Sequence, residues 1–347
     1  MKIALDATYS IGRNLSGVGV YSRAVLAGIA AGHPEARFLW CYRPHRFLRS
    51  FAVALPPNCR RRLFHEPLVP HSAAVFHGLN QRLPRARLRR TVTTFHDLFV
   101  MTGDYSSPEF RARFEEQARD AAARSDLIIA VSEFTARQVE GLLGVERSRL
   151  RVVHHGSRTI DHEPPDDSVR ERVVLHVGAV QKRKNIARLV KAFEELGQEW
   201  RLVLAGSFGF GSQEILRGIA DSRAAPRIDV LGYLPESEIR QWYERAAIFA
   251  FPSLDEGFGM PVLDAMAFGV PVLTSNRSAL AEVAGDAALL VDPEDTAAVA
   301  HGLTQLAGRE ELRREFVSRG RQRAASFTWE TTASKTWSAY AELTSRA

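Results

Sequence analysis

The sequence predicts an α/β protein of two doubly wound parallel-sheet domains. Three observations carry that expectation. The length of 347 residues suits about two domains. Val/Ile/Leu-rich runs alternate with helical patterns along the chain, as in parallel sheets covered on both faces. A polar stretch, SRTIDHEPPDDSVRE at 157–171, splits the alternation into two series and reads as a linker.

In the first series, strands are expected over Lys2–Asp6, Arg37–Tyr42, Ala73–His77, Thr91–His96, Leu127–Val131 and Arg151–His155, with helices over Gly19–Ala31, Pro108–Ala123 and Glu133–Leu143. The second series has strands over Val173–Val177, Arg201–Ala205, Ile228–Leu231, Ala247–Phe251, Pro271–Thr274 and Ala288–Val291. Its helices are expected over Ile186–Leu196, Glu214–Ala220, Glu236–Ala246, Pro261–Phe268 and Thr296–Leu306. Trp329, Trp337, Tyr340 and Leu343 fall at helical spacing near the end of the chain. The expected domains are 1–160 and 161–327, with a helix at 328–347 packing back on the first. Doubly wound sheets bind ligands at the carboxyl ends of their strands, here expected to face an interdomain cleft.

Composition narrows the function. Two cysteines, Cys41 and Cys59, cannot form a disulfide framework and suit a reducing compartment. The N-terminus lacks the apolar core of a signal peptide, and no run approaches the ~20 apolar residues of a membrane helix. The expected location is therefore cytoplasmic. Residues 1–170 carry 25 Lys+Arg against 17 Asp+Glu, and between Arg37 and Arg90 twelve arginines meet one acid, Glu66. That stretch is either a solvated face or one drawn to anionic headgroups or phosphorylated substrate, with peripheral contact at the inner face of the plasma membrane as its extension. Nucleic acid is not expected as a partner, because no aromatic residues interleave the basic runs.

Four glycine-rich or charged segments stand out. Ser16-Gly17-Val18-Gly19-Val20-Tyr21 precedes a helix, where glycines admit close backbone approach and free N–H groups suit an anion. It is a poor dinucleotide fingerprint, since ten residues separate it from its strand. Lys182-Arg183-Lys184-Asn185 lies between a strand and a helix, and three cations there suit a diphosphate. Gly206–Gly211 reads as a flexible loop. Asp255-Glu256-Gly257-Phe258-Gly259-Met260-Pro261 follows the apolar strand AAIFAF, with Asp264 inside the next helix. Two such carboxylates can accept hydrogen bonds from sugar and ribose hydroxyls.

Together with TVTTFHDLFV, ARSDLIIAVSEFTARQV, LHVGAVQKRKNIARLVKAF and EGFGMPVLDAMAFGVPVLTSN, these segments resemble the retaining glycosyltransferases of family 4, most of all bacterial mannosyltransferases of polysaccharide assembly. The resemblance implies the GT-B architecture of two facing Rossmann-like domains. It implies that Gly17 and Gly19 lie against the donor, that His96 faces the donor sugar, and that Lys184 with Arg183 holds the diphosphate. It further implies that Glu256 binds sugar hydroxyls, helped by Gly257 and the amides of Phe258 and Gly259, and that Asp264 binds the ribose. The family usually has Glu at that last position, one methylene longer, and often Arg where this chain has Ala179. The implied reaction moves a hexose from a nucleotide-diphosphate sugar, GDP-mannose first and a UDP-sugar second, to a glycan or lipid-linked acceptor.

No cofactor and no metal are expected: Asp-x-Asp is missing from the sequence, and the histidines show no zinc spacing. Two alternatives stand beside this reading. One is a nucleotide-binding oxidoreductase, which lacks a proper fingerprint. The other is a non-catalytic sugar-binding protein on the same fold.

Overall fold

The computed structural model describes residues 1–12, 14–66, 68–158 and 170–345. Most of the expected linker, 159–169, lies outside them. The chain divides into two compact units. The first comprises Met1–Thr102, Ser107–Gly156 and the segment from Phe327 onward, and the second comprises Gly103–Ser106 and Ser157–Ser326.

The first unit is a parallel sheet of β1 (Lys2–Asp6), β2 (Arg37–Tyr42), β3 (Cys59–Leu63), β4 (Val75–Gly78), β5 (Thr91–Phe95), β6 (Leu127–Ala130) and β7 (Leu150–Val152). The strand order is β3-β2-β1-β4-β5-β6-β7, so the winding reverses between β1 and β4. β4, β5 and β6 are buried at every residue, as expected for strands covered on both faces. β3 lies outside the strands expected from patterning. Its sequence CRRRL alternates buried or half-buried with exposed positions, which suits the sheet edge it occupies and hides it from a search for apolar runs.

Helices α1 (Gly17–Gly32), α2 (Pro44–Phe47), α3 (Phe99–Thr102), α4 (Pro108–Arg124) and α5 (Glu133–Leu143) belong to this unit. Their starts follow local chemistry. Ser107 accepts the Phe110 amide ahead of Pro108, and Ser132 accepts the Thr135 amide at 3.0 Å.

The second unit is a parallel sheet of β8 (Glu171–Val177), β9 (Arg201–Ala205), β10 (Ile228–Gly232), β11 (Ala246–Phe251), β12 (Val272–Ser275) and β13 (Leu289–Val291). Its order is β10-β9-β8-β11-β12-β13, with the reversal between β8 and β11. The helices are α6 (Ile186–Phe193), α7 (Ser212–Ala220), α8 (Glu236–Arg245), α9 (Met260–Ala267), α10 (Ser278–Ala284), α11 (Thr296–Gly308) and α12 (Glu310–Ala325). α12 is so rich in charge that patterning does not reveal it. It buries only Phe316, Gly320 and Ala324, one residue per turn, and Gly320 lets it approach Met266 of α9.

The last helix, α13 (Trp329–Ser345), follows α12 in the chain but packs in the first unit. A Cβ on Gly28 of α1 would come within 2.8 Å of Ala333 Cβ, so the two helices touch through small residues. Tyr340 is fully buried in the core of that unit.

Candidate functional site

Each sheet gathers polar side chains at the carboxyl ends of its strands. In the second unit the sequence places Lys184 after β8 and Glu256 after β11, 72 residues apart. The strand order makes β8 and β11 neighbours and puts the winding reversal between them, which is where such sheets bind ligands. Lys184 Nζ donates to Glu256 Oε1 at 2.5 Å, and Arg183 Nη1 lies 2.8 Å from Glu256 Oε2. Arg183 also donates to the Asp255 carbonyl. All three side chains are buried.

Burial alone pushes the Glu256 carboxyl up. The charges of Arg183 and Lys184 outweigh it and hold the group at about 2. The cluster therefore carries two cations and one anion, a net positive charge out of water. Lys184 Nζ stands 4.5 Å from the centroid of the Phe251 ring, with which the His176 ring stacks at 5.2 Å.

Three consecutive cations do not act as one group. Lys182 is exposed, with Nζ 3.9 Å from Asp104, while Arg183 and Lys184 turn inward. Asn185 explains the turn. It sits in the left-handed region at φ 59°, and its amide donates to the Pro252 carbonyl at 3.1 Å and the Pro293 carbonyl at 2.6 Å. It thereby ties the cationic turn to the segment carrying Glu256. The sequence reading assigns no role to Asn185. Its signal is its place at the end of the cationic run, since a short amide tolerates that backbone.

Neither Asp255 nor Glu256 caps α9: Gly259 takes the N-cap position at φ +105°, where a Cβ would strike Leu280 at 2.5 Å. Gly257 and Phe258 are buried beside it. Asp264 lies on α9, buried and paired to Arg158 through Nε–Oδ2 at 2.7 Å, and Arg158 Nη1 also meets Glu236 at 2.8 Å. Burial raises the Asp264 pKa more than Arg158 lowers it. The shorter carboxylate is thus already engaged, by a residue that patterning does not single out. His176 is a second such residue. Its Nδ1 bonds the Ala250 carbonyl at 2.9 Å, and its buried Nε2 has no hydrogen-bond partner among the described residues.

Around His96 the first unit collects rings. His96 follows β5, is 7% exposed, and bonds the Leu79 carbonyl through Nε2 at 2.9 Å. Burial lowers its pKa to about 4, with the Leu79 bond opposing, so the ring is neutral near pH 7. Since a carbonyl only accepts, Nε2 carries the proton and Nδ1 keeps its lone pair. Tyr21 meets the His96 ring edge-on at 4.7 Å, and His155 lies 4.9 Å from Tyr21.

His77 differs: both of its nitrogens are occupied, by Tyr340 OH at 2.6 Å and Thr94 Oγ1 at 2.8 Å. Gly17 opens α1 at an exposed position under the Ser16 cap. Gly19 is buried, and a Cβ there would lie 2.9 Å from the Tyr9 carbonyl, so close packing requires that glycine. Among the described residues, no group of three or more His, Cys, Asp or Glu is placed to hold a metal ion, and no helix is long and apolar enough to cross a membrane.

Comparisons with known proteins bear on the family and the fold. Residues 157–323 match the family described as glycosyl transferases group 1, and residues 13–159 match glycosyltransferase family 4. The chain is 32% identical over 282 residues to the O-antigen chain mannosyltransferase B of Escherichia coli, covering 77% of this chain and 74% of that protein. It is 26% identical over 264 residues to the serotype-specific mannosyltransferase WbdA of Escherichia coli, covering 70% of this chain but only 32% of WbdA. Among solved structures, a sucrose-phosphate synthase from Thermosynechococcus elongatus superposes over the whole of both chains with TM-score 0.83 at 20% identity. Anabaena Alr3699/HepE in complex with UDP-glucose does so with TM-score 0.75 at 18% identity.

Proposed function

The chain belongs to glycosyltransferase family 4, with two Rossmann-like domains of the GT-B fold. From that premise we propose that this glycosyltransferase moves a hexose from a nucleotide-diphosphate sugar to a glycan or lipid-linked acceptor of cell-surface polysaccharide or glycolipid assembly. We propose further that it does so with retention of configuration and without a metal. The observation that carries the reading is the buried Lys184–Glu256–Arg183 cluster beside the winding reversal of the second sheet.

A diphosphate leaving group gains negative charge as the glycosidic bond breaks. Fixed cations in a water-excluded site stabilise that charge without reorganising. Lys184 and Arg183 both contact Glu256, and their positive charge suits phosphate oxygens. Glu256 is a poor covalent nucleophile, because two cations draw on its lone pairs. That supports attack by the acceptor from the leaving-group side. The neutral His96 supplies an acceptor nitrogen for a sugar hydroxyl. Asp264 is the proposed ribose ligand, with Arg158 sharing its carboxylate.

GDP-mannose is the first donor, supported by two relatives named mannosyltransferases. A UDP-sugar is the second, supported by the UDP-glucose complex of the HepE neighbour. A thermal-shift panel of nucleoside diphosphates tests the donor. At 100 Kd a ligand stabilises the fold by about 2.7 kcal/mol. Transfer assays with EDTA and NMR of the product anomer test the rest. A shift with nucleotide monophosphates equal to that with diphosphates contradicts the phosphate role. An inverted anomer, or activity lost with EDTA and restored by a divalent ion, contradicts the mechanism.

A further inference from the structure

One ion pair of the second unit is only half made. A guanidinium presents Nε–H and an Nη2–H side by side, an edge that matches the two oxygens of a carboxylate. Arg245 uses that whole edge on Glu171, with Nε to Oε1 at 2.6 Å and Nη2 to Oε2 at 2.9 Å. Arg158 does not do so on Asp264. Its Nε donates to Oδ2 at 2.7 Å, while Oδ1 meets the Arg158 backbone amide in a long contact of 3.4 Å. Nη1 turns away to Glu236 Oε1 at 2.8 Å. Nη2 makes no hydrogen bond among the described residues.

The idle nitrogen shares its edge with Nε, so it lies on the Asp264 side of the guanidinium. The Arg158 side chain is 31% exposed and that of Asp264 11%, which makes the arginine the accessible member of the pair. Asp264 stands on α9, the helix entered through the turn that carries Glu256.

A half-used carboxylate beside an idle N–H complements a vicinal diol. Each hydroxyl donates one hydrogen and also accepts. A carboxylate only accepts and a guanidinium only donates, so neither satisfies a diol alone. We propose that Arg158 is a second ribose ligand: Asp264 accepts the hydroxyl hydrogens, and Arg158 Nη2 donates to a hydroxyl oxygen of the same diol. This role rests on Asp264 as the ribose ligand and adds a residue to that reading. The preference for ribonucleotide over deoxyribonucleotide then belongs to the pair.

Calorimetry with GDP and UDP and their 2′-deoxy and 3′-deoxy analogues tests it. Arg158→Lys keeps a cation on Asp264 but loses the fork. Its urea unfolding should stay near that of wild type. The ribonucleotide should weaken about tenfold, the size of one hydrogen bond to a charged group. The analogue lacking the hydroxyl that Arg158 meets should weaken much less. Glu236→Gln is the control: it removes an exposed outer partner and should leave every affinity near that of wild type. Arg158→Lys combined with Asp264→Asn should cost less than the two single losses together, because both act on one diol. Equal losses for the ribonucleotide and both analogues in Arg158→Lys, or no loss at all, would overturn the proposal. So would a similar loss in Glu236→Gln, which would make Arg158 a strap between α8 and α9. Equal losses for all three ligands in Asp264→Asn would instead refute the ribose reading itself.

Discussion

The two sheets solve the same topological problem with opposite electrostatics. Both reverse their winding once and gather polar side chains at strand ends. The first unit buries His77, His96 and His155, all with lowered pKa values, and burial is the first cause in each. The second unit buries Glu256, whose pKa falls against burial because Arg183 and Lys184 are buried with it. Excluding water removes charge unless a counter-charge is buried alongside. The His96 ring can therefore offer only neutral hydrogen bonds, which suits sugar hydroxyls. The Glu256 cluster keeps permanent charge, which suits a diphosphate.

The sharpest way to break this contrast is at His96. His96→Ala should lower turnover by roughly 10²–10⁴ if the ring assists the transition state, with nucleotide affinity nearly unchanged. Wild-type turnover in the variant removes His96 from the site. His77→Ala is the control: both of its nitrogens are occupied within the fold, so stability should fall in step with activity.

Glu256→Gln tests the other side. It keeps the shape but leaves Lys184 and Arg183 buried without their shared anion, and breaking such a pair costs about 3–5 kcal/mol. Urea unfolding measures it, and a loss below about 1 kcal/mol would mean the cluster is solvated in solution.

Acid separates the units. For the histidines, the unfolded chain binds more protons between about 6.5 and the lower folded values, so their contribution is complete above pH 6.5 and is lost as pH falls toward 4 for His96 and 3 for His77. For His96 alone that is about 3 kcal/mol. Glu256 has the depressed-carboxylate sign: its contribution is present above pH 4.5 and is lost as pH falls to about 2. Among the described residues, the second unit buries one histidine of this kind, His176. Hydrogen exchange near pH 5 should therefore show β5 and β6 losing protection before β8 and β11. The reverse order would refute the assignment of charge states.

Lys184→Met keeps the aliphatic stem over Phe251 and removes one charge-assisted contact, worth about 1.5–3 kcal/mol. Calorimetry should show that loss for a nucleoside diphosphate and almost none for the nucleoside. Equal losses would mean that Lys184 acts through the fold.

The smallest effect concerns Asp264. Asp264→Asn should weaken a ribonucleoside diphosphate by about 1 kcal/mol more than its 2′-deoxy analogue. If both weaken equally, Asp264 serves only as the anchor of Arg158.

Much of this molecule is legible in its sequence. Continuous apolar strands such as AAIFAF and LIIA announce parallel sheets, because both of their faces must be covered. The edge strand CRRRL and the charged helix α12 escape, because each buries too few residues to leave a period. The motif strings place their residues at strand ends and helix starts, since local spacing decides which of these each occupies.

Only the tertiary structure decides their charge and company. The alignment of β8 with β11 brings Lys184 and Arg183 onto one carboxylate, and Asn185 locks that turn through two carbonyls from distant loops. The linker end delivers Arg158 to Asp264 across 106 residues. α13 delivers Tyr340 to His77 across 263 residues. Pattern is a property of neighbours in the chain. Desolvation and ion pairing are properties of neighbours in space, and those set whether a buried group is neutral or charged.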